Sequence, residues 1–160
     1  DYVAPIPADE RHDLVAAYHR RLTGDNRTVQ MEAARAWATW EGSTITLLPG
    51  PDASSFTDPL FALAFSRIEN HYFTHDGFFE EGQLIREARR LKGIPAVIVQ
   101  GRYDICTPAA SAWDLYQAWQ AVDPAVELHW VGDAGHAFHE PGILDQLIKT
   151  TDRFAANWAG

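Results

Sequence analysis

The sequence has a single cysteine, Cys106, so no disulfide can form within the chain. A chain of this kind suits a reducing compartment. No basic and apolar leader opens the sequence, and no apolar run is long enough to cross a bilayer. We therefore expect a soluble, cytoplasmic protein with no membrane partner.

Basic residues are also scarce, since 13 Lys and Arg stand against 22 Asp and Glu, which gives a formal charge of −9. Nucleic-acid binding needs a clustered basic surface, so this composition argues against a nucleic-acid partner. An acidic protein is better suited to a cationic substrate. Nearly half of the 160 residues are apolar, which is enough to bury a core and excludes a disordered chain.

The sequence also lacks three kinds of motif that are found in many enzymes. There is no glycine-rich loop that could cradle a phosphate, and no cofactor is implied. No serine lies in a Gly-x-Ser-x-Gly turn between a strand and a helix, and no glycine-rich loop upstream supplies oxyanion donors. The serines are Ser43, Ser54, Ser55, Ser66 and Ser111.

The first part of the chain has the apolar spacing of helices. Helices are predicted over residues 9–22, from a cap at Asp25 or Asn26 towards Leu48, over residues 59–76 and over residues 83–91. A Pro-Gly-Pro-Asp cluster at residues 49–52 is expected to break the second helix.

The pattern of apolar residues changes near Lys92 and Gly93, and from there strands and helices are predicted to alternate. Strands are predicted at residues 96–100 and 126–131, with a helix between them that Thr107 caps and Pro108 begins. A final helix covers residues 141–158. A strand-helix-strand crossover implies parallel, right-handed pairing. Two parallel strands do not make a covered sheet, so the sheet is expected to be incomplete.

An acid and a histidine follow the two predicted strands. Asp104 lies just after the first and His136 just after the second. The carboxyl ends of parallel strands meet at one edge of a sheet, so we expect the two side chains to converge as acid and base. Asp104 has an alternative interpretation as a loop residue that binds backbone amides. His139, three residues after His136, is the competing base.

Other reactive side chains carry weaker signals. His71 and His75 are four residues apart, which is metal-ligand spacing on a helix, but no acidic or cysteine partner completes a convincing set. Cys106 is two residues from Asp104 and is expected to be a small, partly buried filler near the site.

These motifs together resemble the C-terminal half of the proline iminopeptidases, which are α/β-hydrolases of the serine peptidase type. The resemblance extends over nearly all of the chain. The segments that carry it are Val3-Ala4-Pro5-Ile6-Pro7, Ala34-Arg35-Ala36-Trp37, Trp40-Glu41-Gly42, Ala64-Phe65-Ser66-Arg67-Ile68-Glu69-Asn70-His71-Tyr72-Phe73, Gly101-Arg102-Tyr103-Asp104, Asp133-Ala134-Gly135-His136 and Glu140-Pro141-Gly142. It implies a helical cap domain over residues 1–92 and a β-α-β-α part of the hydrolase core over residues 93–160.

The resemblance also implies roles for individual residues. Asp104 and His136 become the acid and base of a catalytic triad, and Glu41 and Glu69 bind the imino group of an N-terminal proline. Aromatic residues near them, Tyr72 and Phe73, suit the pyrrolidine ring. The alternative for each glutamate is a solvated helix face, which is the usual environment of Glu.

The family's N-terminal half, with the nucleophile serine and the oxyanion loop, has no counterpart in these residues. The resemblance therefore implies a fragment or one piece of a split enzyme, which needs the missing half as a partner and is inactive alone. Two alternatives stay open: another capped α/β-hydrolase, such as an esterase or epoxide hydrolase, and a non-catalytic interaction domain.

Overall fold

The computed structural model describes residues 2–48 and 56–158, so the predicted break at residues 49–52 lies outside the described residues. The helices are α1 (Leu14–Thr23), α2 (Arg27–Thr44), α3 (Pro59–Thr74), α4 (Gln83–Glu87), α5 (Ala109–Gln120) and α6 (Pro141–Trp158), and the strands are β1 (Val97–Gly101) and β2 (Glu127–Val131). Short 3-10 turns lie at Ala8–Glu10, Asp76–Phe78 and Ala88–Leu91. This order confirms the predicted α/β class, with helices first and an incomplete parallel sheet after them.

The contacts divide the chain into two compact units. The described parts of residues 1–43 and 49–80 form the first unit, and those of residues 44–48 and 81–160 form the second. In the sequence, the change from a helical pattern to alternating strands and helices lies near residue 92. The boundary between the two compact units lies after Glu80. None of the described helices is both long enough and apolar enough to cross a lipid bilayer.

The helices of the first unit begin where short polar side chains accept backbone amides. Asp13 accepts the amide of Ala16 ahead of α1, and Asp58 accepts that of Phe61 ahead of α3. The side chain of Asn26 accepts the amides of Thr28 and Val29, which confirms one of the two caps predicted for α2. Such caps satisfy amides that have no partner within the helix.

The core of the first unit consists of aromatic and small apolar side chains. Tyr18, Leu22 and Trp37 are at most 1% exposed, and alanines of α2 and α3 fill the space between them. The ring of Tyr18 lies 4.8 Å from that of Tyr2 and 5.1 Å from that of Trp37. Asn70 is buried as well, and its amide nitrogen donates to the carbonyl of Val15, which ties α3 to α1.

The second unit contains the two-stranded sheet. β1 and β2 are parallel, with Val97 opposite Glu127 and Gly101 opposite Val131, as the crossover predicts. Val131, Ala134 and Ile143 form its buried apolar cluster. Because the register aligns the last residues of the two strands, the loops that follow them start side by side.

Several details of the predicted helices are wrong. Helix α1 begins at Leu14, after its cap Asp13, rather than at residue 9. Helix α3 ends at Thr74 rather than at residue 76, and α4 gives way to a 3-10 turn after Glu87.

Helix α2 ends at Thr44 rather than near Leu48, because the carbonyl of Ile45 and the amide of Leu47 bind partners far along the chain. Thr107 does not cap α5, which begins at Ala109 after Pro108 in the N-cap position. The hydroxyl of Thr107 binds other side chains instead.

Candidate active site

Asp104 and His136 lie in the two loops that follow β1 and β2. The backbone pairing continues past the strands, because the amide of Arg102 donates to the carbonyl of Val131 and that of Tyr103 to the carbonyl of Ala134. These bonds hold the loops together. Nδ1 of His136 lies 3.0 Å from Oδ2 of Asp104, so the structure brings the predicted acid and base into hydrogen-bond contact.

This close approach requires a glycine at the end of β1. A Cβ atom placed on Gly101 would lie 1.8 Å from the carbonyl oxygen of Gly135, the residue just before His136. No side chain fits at that distance. The Gly101-Arg102-Tyr103-Asp104 motif therefore has a steric reason for its first residue, as well as a chemical reason for its last.

Asp104 is 8% exposed and uses its two oxygens differently. Oδ1 accepts the backbone amides of Cys106 at 2.9 Å and Thr107 at 2.8 Å. Oδ2 faces His136 and also accepts the Thr107 hydroxyl at 2.8 Å and the side-chain amide of Gln100 at 3.2 Å. The two interpretations of Asp104, amide binder and acid partner, are thus both fulfilled, each by a different oxygen.

The same bonds control the ionisation of Asp104. Burial opposes the charged form, but hydrogen bonds from the Thr107 amide, His136 and the Thr107 hydroxyl outweigh it together, and the pKa of Asp104 lies below its ordinary value. Hydrogen bonds to a carboxylate favour its charged form. Asp104 is therefore ionised at neutral pH and can accept a proton-bearing nitrogen.

Thr107 indicates which tautomer His136 adopts. Its hydroxyl oxygen lies 2.8 Å from Oδ2 of Asp104 and 3.2 Å from Nδ1 of His136. The hydroxyl proton goes to the carboxylate, which accepts and cannot donate. An unprotonated Nδ1 would then place its lone pair against the lone pairs of two oxygens. We infer that Nδ1 carries the proton and donates it in a hydrogen bond to Asp104. In the neutral ring this leaves Nε2 without a proton, as a general base requires.

Glu140 and residues 44–48 hold the loop of His136 in place. The amides of His136 and Ala137 both donate to the carbonyl of Ile45, at 2.9 Å and 2.8 Å. Glu140 is 9% exposed, and its carboxylate accepts the amide of Gly135 at 2.7 Å and that of Leu47 at 3.1 Å. Sequence reasoning missed Glu140 as a site residue, although an acidic side chain just before the proline of a helix start was a usable signal.

The predicted substrate glutamates lie in the first unit, beside its aromatic core. Oε2 of Glu69 accepts the indole N–H of Trp37 at 2.6 Å. Burial raises the pKa of the Tyr2 phenol most, and the nearby Tyr18, Glu41 and Glu69 raise it further. Glu41 and Glu69 are therefore both close enough to Tyr2 to act on it electrostatically, and both are half-buried.

The two predicted aromatic residues have separate surroundings. The ring of Phe73 lies 5.9 Å from that of Trp37, so Phe73 adjoins the cluster that contains Glu69. Tyr72 instead lies 5.8 Å from the ring of Phe78. Both Tyr72 and Phe73 are 51% exposed, which leaves a face of each ring accessible.

Other histidines named in the sequence analysis have aromatic neighbours. The rings of His71 and His75 are tilted by 49° with centroids 4.5 Å apart, and the ring of His139 packs edge-on against Phe138. Within the part of the chain that the structure describes, one group of three side chains could hold a metal ion: Asp104, Cys106 and His136.

Comparison with known proteins gives close relatives that share one name. A proline iminopeptidase of Xylella fastidiosa is 50% identical over 155 residues, which cover 96% of this chain and 48% of the relative. A proline iminopeptidase of Xanthomonas citri is 49% identical over 156 residues, and one of Arabidopsis thaliana is 46% identical over 154 residues, or 40% of that relative. No family model matches the chain. The chain spans about half the length of the curated relatives it matches.

Proposed function

We propose that the chain, which is 49 to 50% identical to two proline iminopeptidases over about half of their length, supplies the acid and base of a serine-type aminopeptidase that releases N-terminal proline from peptides. One observation carries the proposal: the 3.0 Å contact between Asp104 and His136, at the ends of two adjacent parallel strands. Relatives bearing the name of that activity match the chain over most of its length.

In the proposed reaction, Nε2 of His136 takes the proton of a serine hydroxyl and later delivers it to the leaving amine. Asp104 holds the tautomer through Nδ1 and stabilises the imidazolium that forms. The low pKa of Asp104 keeps the carboxylate charged during this step. An imidazole ring can accept a proton at one nitrogen and deliver it again, which suits both transfers.

We assign the nucleophile to a segment outside this chain. Ser66 is fully buried and donates to the carbonyl of Ala34, and the hydroxyl of Ser43 donates to the carbonyl of Trp40. Both hydroxyls are thus occupied within helices of the first unit. The half of each relative that the chain does not match is the natural source of a nucleophile and of oxyanion donors.

Glu41 and Glu69 are the proposed receptor for the charged imino nitrogen. Two carboxylates near Tyr2 and Trp37 repel each other, and a prolinium cation between them relieves that repulsion. The aromatic rings beside them add a favourable surface for a cation and for an apolar ring. An acylated proline lacks the charge, so it binds poorly by comparison.

The triad assignment is tested by combining the chain with a nucleophile-bearing segment, taken from its own longer protein or from a relative. We expect hydrolysis of a prolyl amide, with a loss of about 10⁴-fold in kcat for Asp104→Asn and at least as much for His136→Ala. His139→Ala, three residues away, is the control and should retain activity. Equal effects of His136→Ala and His139→Ala contradict the triad assignment, and hydrolysis of a simple ester without any hydrolysis of the prolyl amide contradicts the assigned substrate.

The imino receptor is tested in the same enzyme by Glu41→Gln and Glu69→Gln. Each change removes a charge-assisted contact, so KM for prolyl substrates should rise about 10- to 100-fold while kcat changes little. Glu32→Gln is the matched control, because Glu32 lies on α2 and is exposed. If all three variants have the same KM, the receptor lies elsewhere.

A further inference from the structure

The single cysteine lies beside the proposed acid and base. Asp104, Cys106 and His136 each present one ligand atom, and these atoms lie within 4.8 Å of one another. We propose that the three side chains form a binding site for Zn²⁺ that overlaps the acid–base pair. Zinc bound there occupies Nδ1 of His136 and thereby regulates whatever chemistry the histidine performs.

The three donors fit zinc chemically. A thiolate, an imidazole nitrogen and a carboxylate oxygen are the donors that zinc uses in proteins, while hard cations such as Mg²⁺ avoid thiolates. Donors around a tetrahedral zinc, at about 2.0 to 2.3 Å from the metal, lie about 3.3 to 3.8 Å from one another. Nδ1 of His136 and Oδ2 of Asp104 are already 3.0 Å apart, so adjustments of about an ångström complete the set.

The loop also supplies the supporting contacts that a metal site needs. The amide of Cys106 donates to Oδ1 of Asp104, which fixes two of the ligand residues relative to each other. Gln100 and Thr107 hold the other carboxylate oxygen. Hydrogen bonds of this kind orient ligands, and their loss weakens metal binding. Two anionic ligands would neutralise the charge of Zn²⁺ within this half-buried loop.

Zinc at this site has a defined effect on the histidine. Coordination requires a lone pair on Nδ1, so the ring proton moves through solvent to Nε2, and the thiol proton of Cys106 leaves to water. Nε2 then carries a proton and cannot accept one, so His136 no longer acts as a base. This effect on activity rests on the proposed function, whereas the zinc site does not.

The first test uses the 160-residue chain and the metals alone. Zn²⁺ is titrated by calorimetry, and Co²⁺ by absorption, with an intense sulfur-to-cobalt charge-transfer band as the expected result. Cys106→Ser should abolish the band and weaken zinc binding at least about tenfold. The double variant His71→Ala/His75→Ala removes the exposed histidine pair and should leave both signals unchanged. A Cys106→Ser chain that binds zinc like its parent overturns the proposal.

A second test needs no variant. Because Cys106 is the only thiol, its alkylation by iodoacetamide can be followed by mass spectrometry. Zn²⁺ should slow the alkylation and a chelator should restore it; an unchanged rate overturns the zinc site. Neither readout depends on peptidase activity. Zinc binding with these properties in a protein that fails the prolyl amide assay would overturn the proposed function and leave the site standing.

Discussion

The two units of the molecule keep their shape by different means. The first unit buries nine apolar residues, each at most 3% exposed, with Tyr18 and Trp37 at the centre. The buried apolar cluster of the second unit has three members, and its other buried apolar residues lie outside that cluster: Ala88, Ala112, Val126 and Ala137. Trp113 and Trp130 of this unit are both 44% exposed. Both units bury polar side chains, but they differ in charge. The first unit buries the neutral Ser66 and Asn70, whereas the second buries the carboxylates of Asp104 and Glu140, with Gln100 beside Asp104, at 8 to 9% exposure.

This difference shows how the acid and base are positioned. Loops that follow strands leave backbone amides without ladder partners, and buried amides need acceptors. Asp104 and Glu140 each accept two of them, which offsets the cost of burying their charges. The first unit should therefore be sensitive to lost volume, and the second to lost hydrogen bonds and to added atoms.

The largest loss of stability is expected when the side chain of Trp37, at the centre of the first unit's core, is removed. Trp37→Ala leaves a cavity and removes the donor to Glu69, so the free energy of unfolding should fall by about 3 to 5 kcal/mol. Trp113→Ala, a half-exposed tryptophan of the second unit, is the matched control and should cost clearly less. Urea unfolding of the two variants measures the difference; equal losses would remove the contrast between the units.

The next largest loss of stability is expected when a methyl group is added at Gly101, in the second unit. Gly101→Ala forces a methyl group against the carbonyl of Gly135, and we expect a loss of about 1 to 3 kcal/mol or more, with displacement of the His136 loop. Gly132→Ala is the control, because a Cβ there meets nothing within 4 Å. Thermal unfolding gives the stabilities, and the chemical shifts of the His136 ring report the displacement. Similar behaviour of the two variants would mean that the loops are not closely packed at Gly101.

Removing the Glu140 carboxylate should have a similar or smaller effect. Glu140→Ala leaves the buried amide of Gly135 and the amide of Leu47 without their acceptor, at about 1 to 3 kcal/mol in total. In an active enzyme kcat should fall while KM stays unchanged, because the base is misplaced but substrate contacts are not. Hydrogen exchange of the two amides should accelerate, whereas Glu32→Ala should leave it unchanged. Unaltered exchange in Glu140→Ala would rule out the proposed support.

The sequence was sufficient for those features that depend on local patterns. Helix α6 has the predicted bounds, β1 and β2 lie within one residue of theirs, and the parallel pairing follows from the crossover between them. The meeting of Asp104 and His136 follows in turn from the two strand ends. The contact between Leu47 and Glu140 spans 93 residues, and no local pattern indicates it. The prediction for Thr107 is wrong for a different reason: its hydroxyl binds the side chain of Asp104, only three residues earlier, in preference to a helix end.

The smallest effect concerns an exposed pair on β2, in the same unit as the buried carboxylates. The hydrogen bond that the His129 ring donates to Glu127, and then the one it donates to Gln146, raises the pKa of His129 above its ordinary value. The stability from this shift is fully present below the unfolded pKa of about 6.5 and is lost as the pH rises through the folded pKa. Since both side chains are more than a third exposed, solvent screens the pair and we expect under about 1 kcal/mol.

His129→Gln removes the titrating group, so the pH dependence of its stability is compared directly with that of the parent protein. From about pH 5.5 to about pH 8.5, the parent should lose slightly more free energy of unfolding than the variant does. Glu127 itself has a lowered pKa, first through its bond from His129, so its contribution disappears only at acidic pH, below this window. An equal pH dependence in parent and variant would show that the pair adds nothing. The second unit would then owe its polar stabilisation to buried groups such as Asp104 and Glu140, and not to exposed ion pairs.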